Sequence, residues 1–88
     1  MVEGKTKSGF KFKINENIYK DWEFATLADT LRSGEGTMKD VNAMLIMVLG
    51  EKGFNSLKEH VKKSYGYIDV EAVKEEFAEI TNATKVKN

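Results

Sequence analysis

His60 is the only histidine and the chain has no cysteine, so the residue types behind most nucleophilic and metal chemistry are nearly absent. Zinc needs three or four His, Cys or carboxylate ligands converging on one point, and a single imidazole anchors no such site. Glu59 is adjacent to His60 in sequence, but neighbouring residues on a helix do not face one another, so it is badly placed to orient the ring as a general base. His60 is expected on the surface, in water. Gly4-Lys5-Thr6 has the ending of a phosphate-binding loop without the upstream glycine that such a loop requires. Gly34-Glu35-Gly36 is a fragment of a dinucleotide fingerprint that follows a helix where a strand is required, and it is expected to be a linker. No catalytic residue, cofactor or metal is expected.

Two further sets have charge but lack geometry. Glu71, Glu75, Glu76 and Glu79 fall on the polar side of a helical segment with no loop to wrap a cation, so they are expected to be a solvated face. Phe10 and Phe12 alternate with Lys11 and Lys13. A strand puts the rings and the ammonium groups on opposite faces, which separates base stacking from phosphate binding. Trp22 and Phe24 are expected to anchor the core. Asn82-Ala83-Thr84 matches a glycosylation acceptor, and nothing else points to secretion.

The elements that must position these residues follow from periodicity. Phe10, Phe12 and Ile14 give the period-2 pattern of a strand over 9–14, with Ser8-Gly9 as a turn and Val2 to Thr6 as the other arm of a hairpin. A lone hairpin is barely stable, so its apolar face must pack on helices. A helix is predicted over 16–32, capped by Asn15 or Asn17, with Ile18, Trp22, Ala25 and Ala28 on one side. The segment 38–49 is the most apolar. Thr37 caps it, Asp40 completes a capping box, and Gly50 stops it. Met38, Val41, Leu45, Val48 and Leu49 share one face at 100° per residue, while Ala43, Ile46 and Met47 point the other way.

A third helix, over 52–64, carries Phe54, Leu57, Val61 and Tyr65 inward and ends at Gly66. Asp69 caps a fourth, over 70–81, with Val70, Val73, Phe77 and Ile80 inward and Glu71 favourable to its dipole. Residues 81–88 are expected to fray. The predicted fold is mainly α, a small bundle of about four helices with an N-terminal β-hairpin as a minor β component. Residues 1–80 form the single domain, since 88 residues support one modest core.

Fourteen basic residues balance fourteen acidic ones, which leaves no global field to recruit nucleic acid or an anionic membrane. The longest apolar run, Ala43 to Leu49, is too short to span a bilayer, and the first residues have no apolar leader core. With no cysteine to oxidise, a cytoplasmic setting fits best.

Taken in order, the motifs resemble a known family. Lys7-Ser8-Gly9-Phe10 precedes an alternating strand, and Asp21-Trp22-Glu23 lies in the first helix. Leu49-Gly50-Glu51 leads to Leu57-Lys58-Glu59-His60, then Gly66, then a helix ending Phe77-Ala78-Glu79-Ile80. The order and spacing, over residues 5 to 80, resemble the small tail assembly chaperones of siphophages and prophages of Gram-positive bacteria. That resemblance implies a non-enzymatic protein that holds the tape measure protein in the host cytoplasm during tail morphogenesis and leaves before the virion is complete. The tail tube protein is a further candidate client, and a longer frameshifted form often accompanies such proteins.

Methionine suits a surface that adapts to an elongated client, because it is unbranched and polarisable. Met44, Ile46 and Met47 are accordingly the expected partner-binding residues, for a client or for self-association. The alternative is a small regulator that binds nucleic acid through Lys5, Lys7, Lys11 and Lys13.

Overall fold

A computed structural model describes residues 1–84. Strands β1 (Val2–Lys5) and β2 (Lys11–Ile14) form a two-stranded antiparallel sheet within one chain, in the register Val2↔Ile14, Glu3↔Lys13, Gly4↔Phe12 and Lys5↔Lys11. A 3₁₀ helix (Glu16–Lys20) follows, then α1 (Trp22–Arg32), α2 (Met38–Tyr65) and α3 (Val70–Thr84). The mainly helical character and the N-terminal hairpin agree with the expected fold class. The helix count does not, because there are three α-helices rather than four among the described residues.

The hairpin shows its alternation directly: Phe12 and Ile14 are buried while Lys11 and Lys13 are exposed. Gly4 sits opposite Phe12, and a Cβ there would lie only 2.6 Å from the end of the ring. The glycine thus leaves a flat seat for the aromatic side chain, a common remedy for a bare position in a strand pair.

The expected helix over 16–32 is divided at Asp21. Its backbone is extended, with ψ at 138°, its N–H closes the 3₁₀ turn onto Ile18, and its carboxylate accepts from the backbone N–H of Phe24 at 3.1 Å. Aspartate is a strong N-cap, so a new helix starts at Trp22. That restart leaves Trp22 81% exposed while Phe24 is buried; Trp22 is no core anchor.

The opposite happens at Gly50. The expected helices over 38–49 and 52–64 are one element, α2, with a break at Gly50, where φ is 78° and ψ is 164°. This conformation is essentially reserved for glycine. It redirects the axis so that Met44, Leu45 and Val48 before the kink, and Phe54, Leu57 and Val61 after it, all reach one core. The start of α2 is as expected, with the Asp40 carboxylate accepting from the Thr37 N–H at 2.9 Å. Its end is too, at Gly66, with φ of 80°. Tyr65, however, is exposed rather than inward.

Asp69 caps α3, its carboxylate accepting from the N–H of Ala72 at 2.9 Å. Ala72, Val73 and Ile80 are buried, whereas Val70 is exposed. The helix continues three residues beyond the expected end at 81. Thr84 is buried, bonds the Tyr19 hydroxyl, and donates to the Ile80 carbonyl at 2.8 Å. Residues 81–84 therefore belong to the fold, and the rest of the expected frayed tail lies outside the described residues. Helices α1 and α3 both pack on α2, and β2 packs on it as well. No helix among the described residues is long and apolar enough to cross a membrane.

Two outcomes follow from these joints. Gly50→Ala is expected to lower the unfolding free energy by about 1–3 kcal/mol, seen as a lower denaturant midpoint, because a side chain either strains the kink or straightens α2 away from the core. Burial raises the pKa of the Tyr19 phenol, against the opposing hydrogen bond to Thr84. A raised phenol contributes stability that is present below its ordinary value of about 10 and is lost as pH rises further. Thermal melts above that pH are expected to fall more steeply for the wild type than for Tyr19→Phe.

Candidate functional site

The polar side chains that converge do so at the turn of the hairpin. The turn closes through the Thr6 N–H donating to the Phe10 carbonyl at 2.9 Å and the Gly9 N–H donating to the Thr6 carbonyl at 2.9 Å. Thr6 is itself buried. Its hydroxyl accepts from the Phe10 N–H at 3.1 Å and donates to Oε1 of Glu76 on α3 at 2.8 Å. One residue on, the Lys7 N–H donates to Oε2 of Glu79 at 2.8 Å. Ser8 Oγ lies 3.2 Å from the Thr6 hydroxyl and 2.9 Å from Nε2 of His60 on α2. The His60 ring also rests on Phe10, with centroids 5.6 Å apart.

These contacts revise two expectations. His60 is half-buried and tied to the turn rather than a solvated surface histidine, and Glu76 and Glu79 clamp the hairpin rather than forming a free acidic face. Thr6 is the residue that sequence reasoning missed. Its visible signal was only a hydroxyl next to a Lys-Ser-Gly turn, and the partner that gives it a role lies 70 residues away.

Ser8 and His60 stand at the separation of a nucleophile and its base. The cleft beside them, of about 240 Å³, is also lined by Glu75, Glu76 and Glu79. Carboxylates so close oppose the negative charge that builds on an attacked carbonyl, where an acyl-transfer site needs donors. What the set visibly does is fasten the hairpin to α2 and α3. No group of three or more metal-ligating side chains comes together among the described residues.

Apolar surface is concentrated elsewhere. Helices α1 and α3 flank the first half of α2 and leave a groove of about 660 Å³ between them. Its walls are Tyr19, Phe24, Ala25, Ala28 and Leu31 on one side and Phe77 and Thr81 on the other, with Met44 among the lining residues and Asp29 and Arg32 at its edge. Met44 is only 7% exposed, so of the three expected partner-binding residues it serves as the buried floor of a groove and not as a projecting contact. Met47 is half-buried and packs against the core. Ile46 is exposed, at the edge of a separate cleft with Asn42, Phe54 and Lys58. The structure does not bring the three into one patch.

A second apolar cavity, of about 110 Å³, opens where the two halves of α2 meet the start of α3. Leu45, Phe54 and Val73 form its base, while Met38, Ile68 and Val70 around it are exposed. The four N-terminal lysines lie on or beside the hairpin. Its register sets Lys5 against Lys11, and Lys13 against Glu3 at 4.0 Å.

No family model, curated protein or solved structure matches the chain.

If Thr6 is the hub of the clamp, removing its hydroxyl alone should loosen the hairpin. Thr6→Val leaves the Phe10 N–H and the Glu76 carboxylate without their partner and is expected to cost about 1–3 kcal/mol in denaturant unfolding. Ser8→Ala, which deletes a more exposed bond, should cost less than half as much. Equal losses in the two variants would sink the assignment.

Proposed function

We propose that the chain is a non-enzymatic tail assembly chaperone of a siphophage or prophage, which holds the tape measure protein in the host cytoplasm while the tail is built. The observation that carries this is the groove between α1 and α3. It is roofless, lined mainly by apolar side chains, and walled on α1 by the small residues Ala25 and Ala28. Small residues let a helical backbone approach closely, and an amphipathic helix laid in such a groove recognises it through side chains at spacings of three and four. The α1 wall runs from Phe24 to Arg32, about 12 Å of helix rise, which matches two turns of a client helix. A long helical client offers many such segments, so one short groove can engage it repeatedly.

The order of motifs from Lys7-Ser8-Gly9-Phe10 to Phe77-Ala78-Glu79-Ile80 supports the same assignment, and so does the polar turn, whose titratable groups are engaged in holding the fold. The tail tube protein is a second client of the same kind.

Nucleic acid is the alternative partner, and one observation favours it. The hairpin register turns Lys5, Lys11 and Lys13 to the exposed side of the ribbon, with Glu3 as the acid among them.

Co-purification with a tape measure protein from the same genome distinguishes the two. Wild-type protein is expected to retain the client through a salt wash, since added salt weakens phosphate contacts steeply and does not weaken apolar ones in that way. Thr81→Arg lays a long cation across the groove at a half-buried position and is expected to reduce retention about tenfold with an unchanged circular dichroism spectrum. Undiminished capture by this variant would rule out the groove. Loss of the complex at moderate salt together with binding to a random duplex would favour the lysines.

A further inference from the structure

Trp22 is the most exposed large apolar side chain among the described residues, at 81%. It is the only tryptophan, and it stands between Asp21 and Glu23 at the first position of α1. An indole left in water between two carboxylates adds nothing to the fold. Tryptophan is also the residue type most enriched among side chains that dominate protein interfaces.

The cavity at the kink of α2 has the complementary character. Leu45, Phe54 and Val73 at its base are buried, and the cations at its mouth are Lys58 and Lys74, with no carboxylate in its lining. Lys58 Nζ lies 4.4 Å from the centre of the Phe54 ring. Among the described residues its ammonium is in none of the ion pairs, and Lys74 pairs only with the exposed Glu71, at 3.9 Å. Such exposed pairs are weak, so both lysines are available to another anion.

Knob and socket cannot meet within one molecule. The socket is at the start of α3, at Val70 and Val73, whereas Thr84 at the far end of α3 bonds Tyr19, three residues before Trp22. The 15 residues of α3 separate the two ends by about 22 Å.

We propose that Trp22 of one copy docks in the Lys58–Lys74 socket of a second copy of this chain, with the flanking carboxylates meeting the two ammonium groups. Glu23 is the freer of the two acids, because an oxygen of Asp21 already caps the Phe24 N–H. A buried apolar cavity of about 150 Å³ takes a benzene ring. The cavity here, about 110 Å³, is smaller than that but open at the mouth, so it admits only the leading edge of the indole's six-membered ring, and the exposed side chains of Met38 and Ile68 cover the rest. A methionine sulfur against an aromatic ring is a favourable contact. Because knob and socket are different surfaces, the contact is heterologous, so copies add head to tail until the arrangement closes into a ring or continues as a filament. This contact does not depend on the identity of the client.

Sedimentation of the full chain over a range of concentrations, with tryptophan emission recorded in parallel, tests the proposal. Wild-type protein is expected to rise in mass above the 10.0 kDa monomer while its emission shifts to the blue as the indole leaves water. Trp22→Ala and the double variant Lys58→Glu/Lys74→Glu are each expected to associate about tenfold more weakly or less, with unchanged circular dichroism. Mixed together they should form a complex that stops at two copies, since one keeps only the socket and the other only the knob. A wild-type chain that stays monomeric with unshifted emission at every concentration would overturn the proposal. So would either variant associating as the wild type does.

Discussion

The long helix α2 has to bring the apolar faces of both its halves to one core, and a straight helix of its length could not do so. The break at Gly50 meets that requirement. Once α2 bends, Leu45 and Leu57, both almost inaccessible to solvent, lie in the same core, and the hairpin, α1 and α3 can each cover part of the bent surface. The same bend leaves the hollow against the start of α3 that Met38, Ile68 and Val70 surround. A structural necessity of the core thereby shapes an exposed feature of the surface.

The hairpin shows how a marginal element is secured. Strands of four residues cannot persist alone in water. Here the buried faces of Phe12 and Ile14 supply the apolar contact, and charge-assisted hydrogen bonds from the turn to Glu76 and Glu79 supply direction. Hydrogen bonds to a carboxylate are stronger than neutral ones, and the Thr6 bond is part-buried, where water competes less. The polar groups that most resemble a reactive set are thus engaged in keeping the strands on the helices. Removing an acidic residue from α3 would be felt 70 residues away, at the turn.

Several surface features were legible in the sequence for local reasons. The Phe-Lys alternation, the Thr37–Asp40 and Asp69 starts, and the Gly66 stop depend on the backbone conformation of a few neighbouring residues. All of them appear as expected. The candidate site was less legible. Met44, Ile46 and Met47 are close in sequence, and helical spacing sets Ile46 and Met47 together on the side away from Leu45 and Val48. It does not show that α1 and α3 stop short of each other over Met44, or that the core takes up Met47.

What the sequence determined by itself is the inventory of local geometry: which residues alternate, where caps and glycines permit a start or a bend, and that no cysteine is present to supply a thiolate ligand. The tertiary structure decided how these pieces are joined and covered. It made one kinked helix of two segments because the core rewards both halves, and it divided another at Asp21 because a cap competes with helix continuation. It placed Thr6 and Thr84 inside and Trp22 outside. The physical reason is common to the kink and to the placing of these three side chains. Periodicity records the face a residue occupies on its own element, whereas burial depends on which distant element arrives to cover that face.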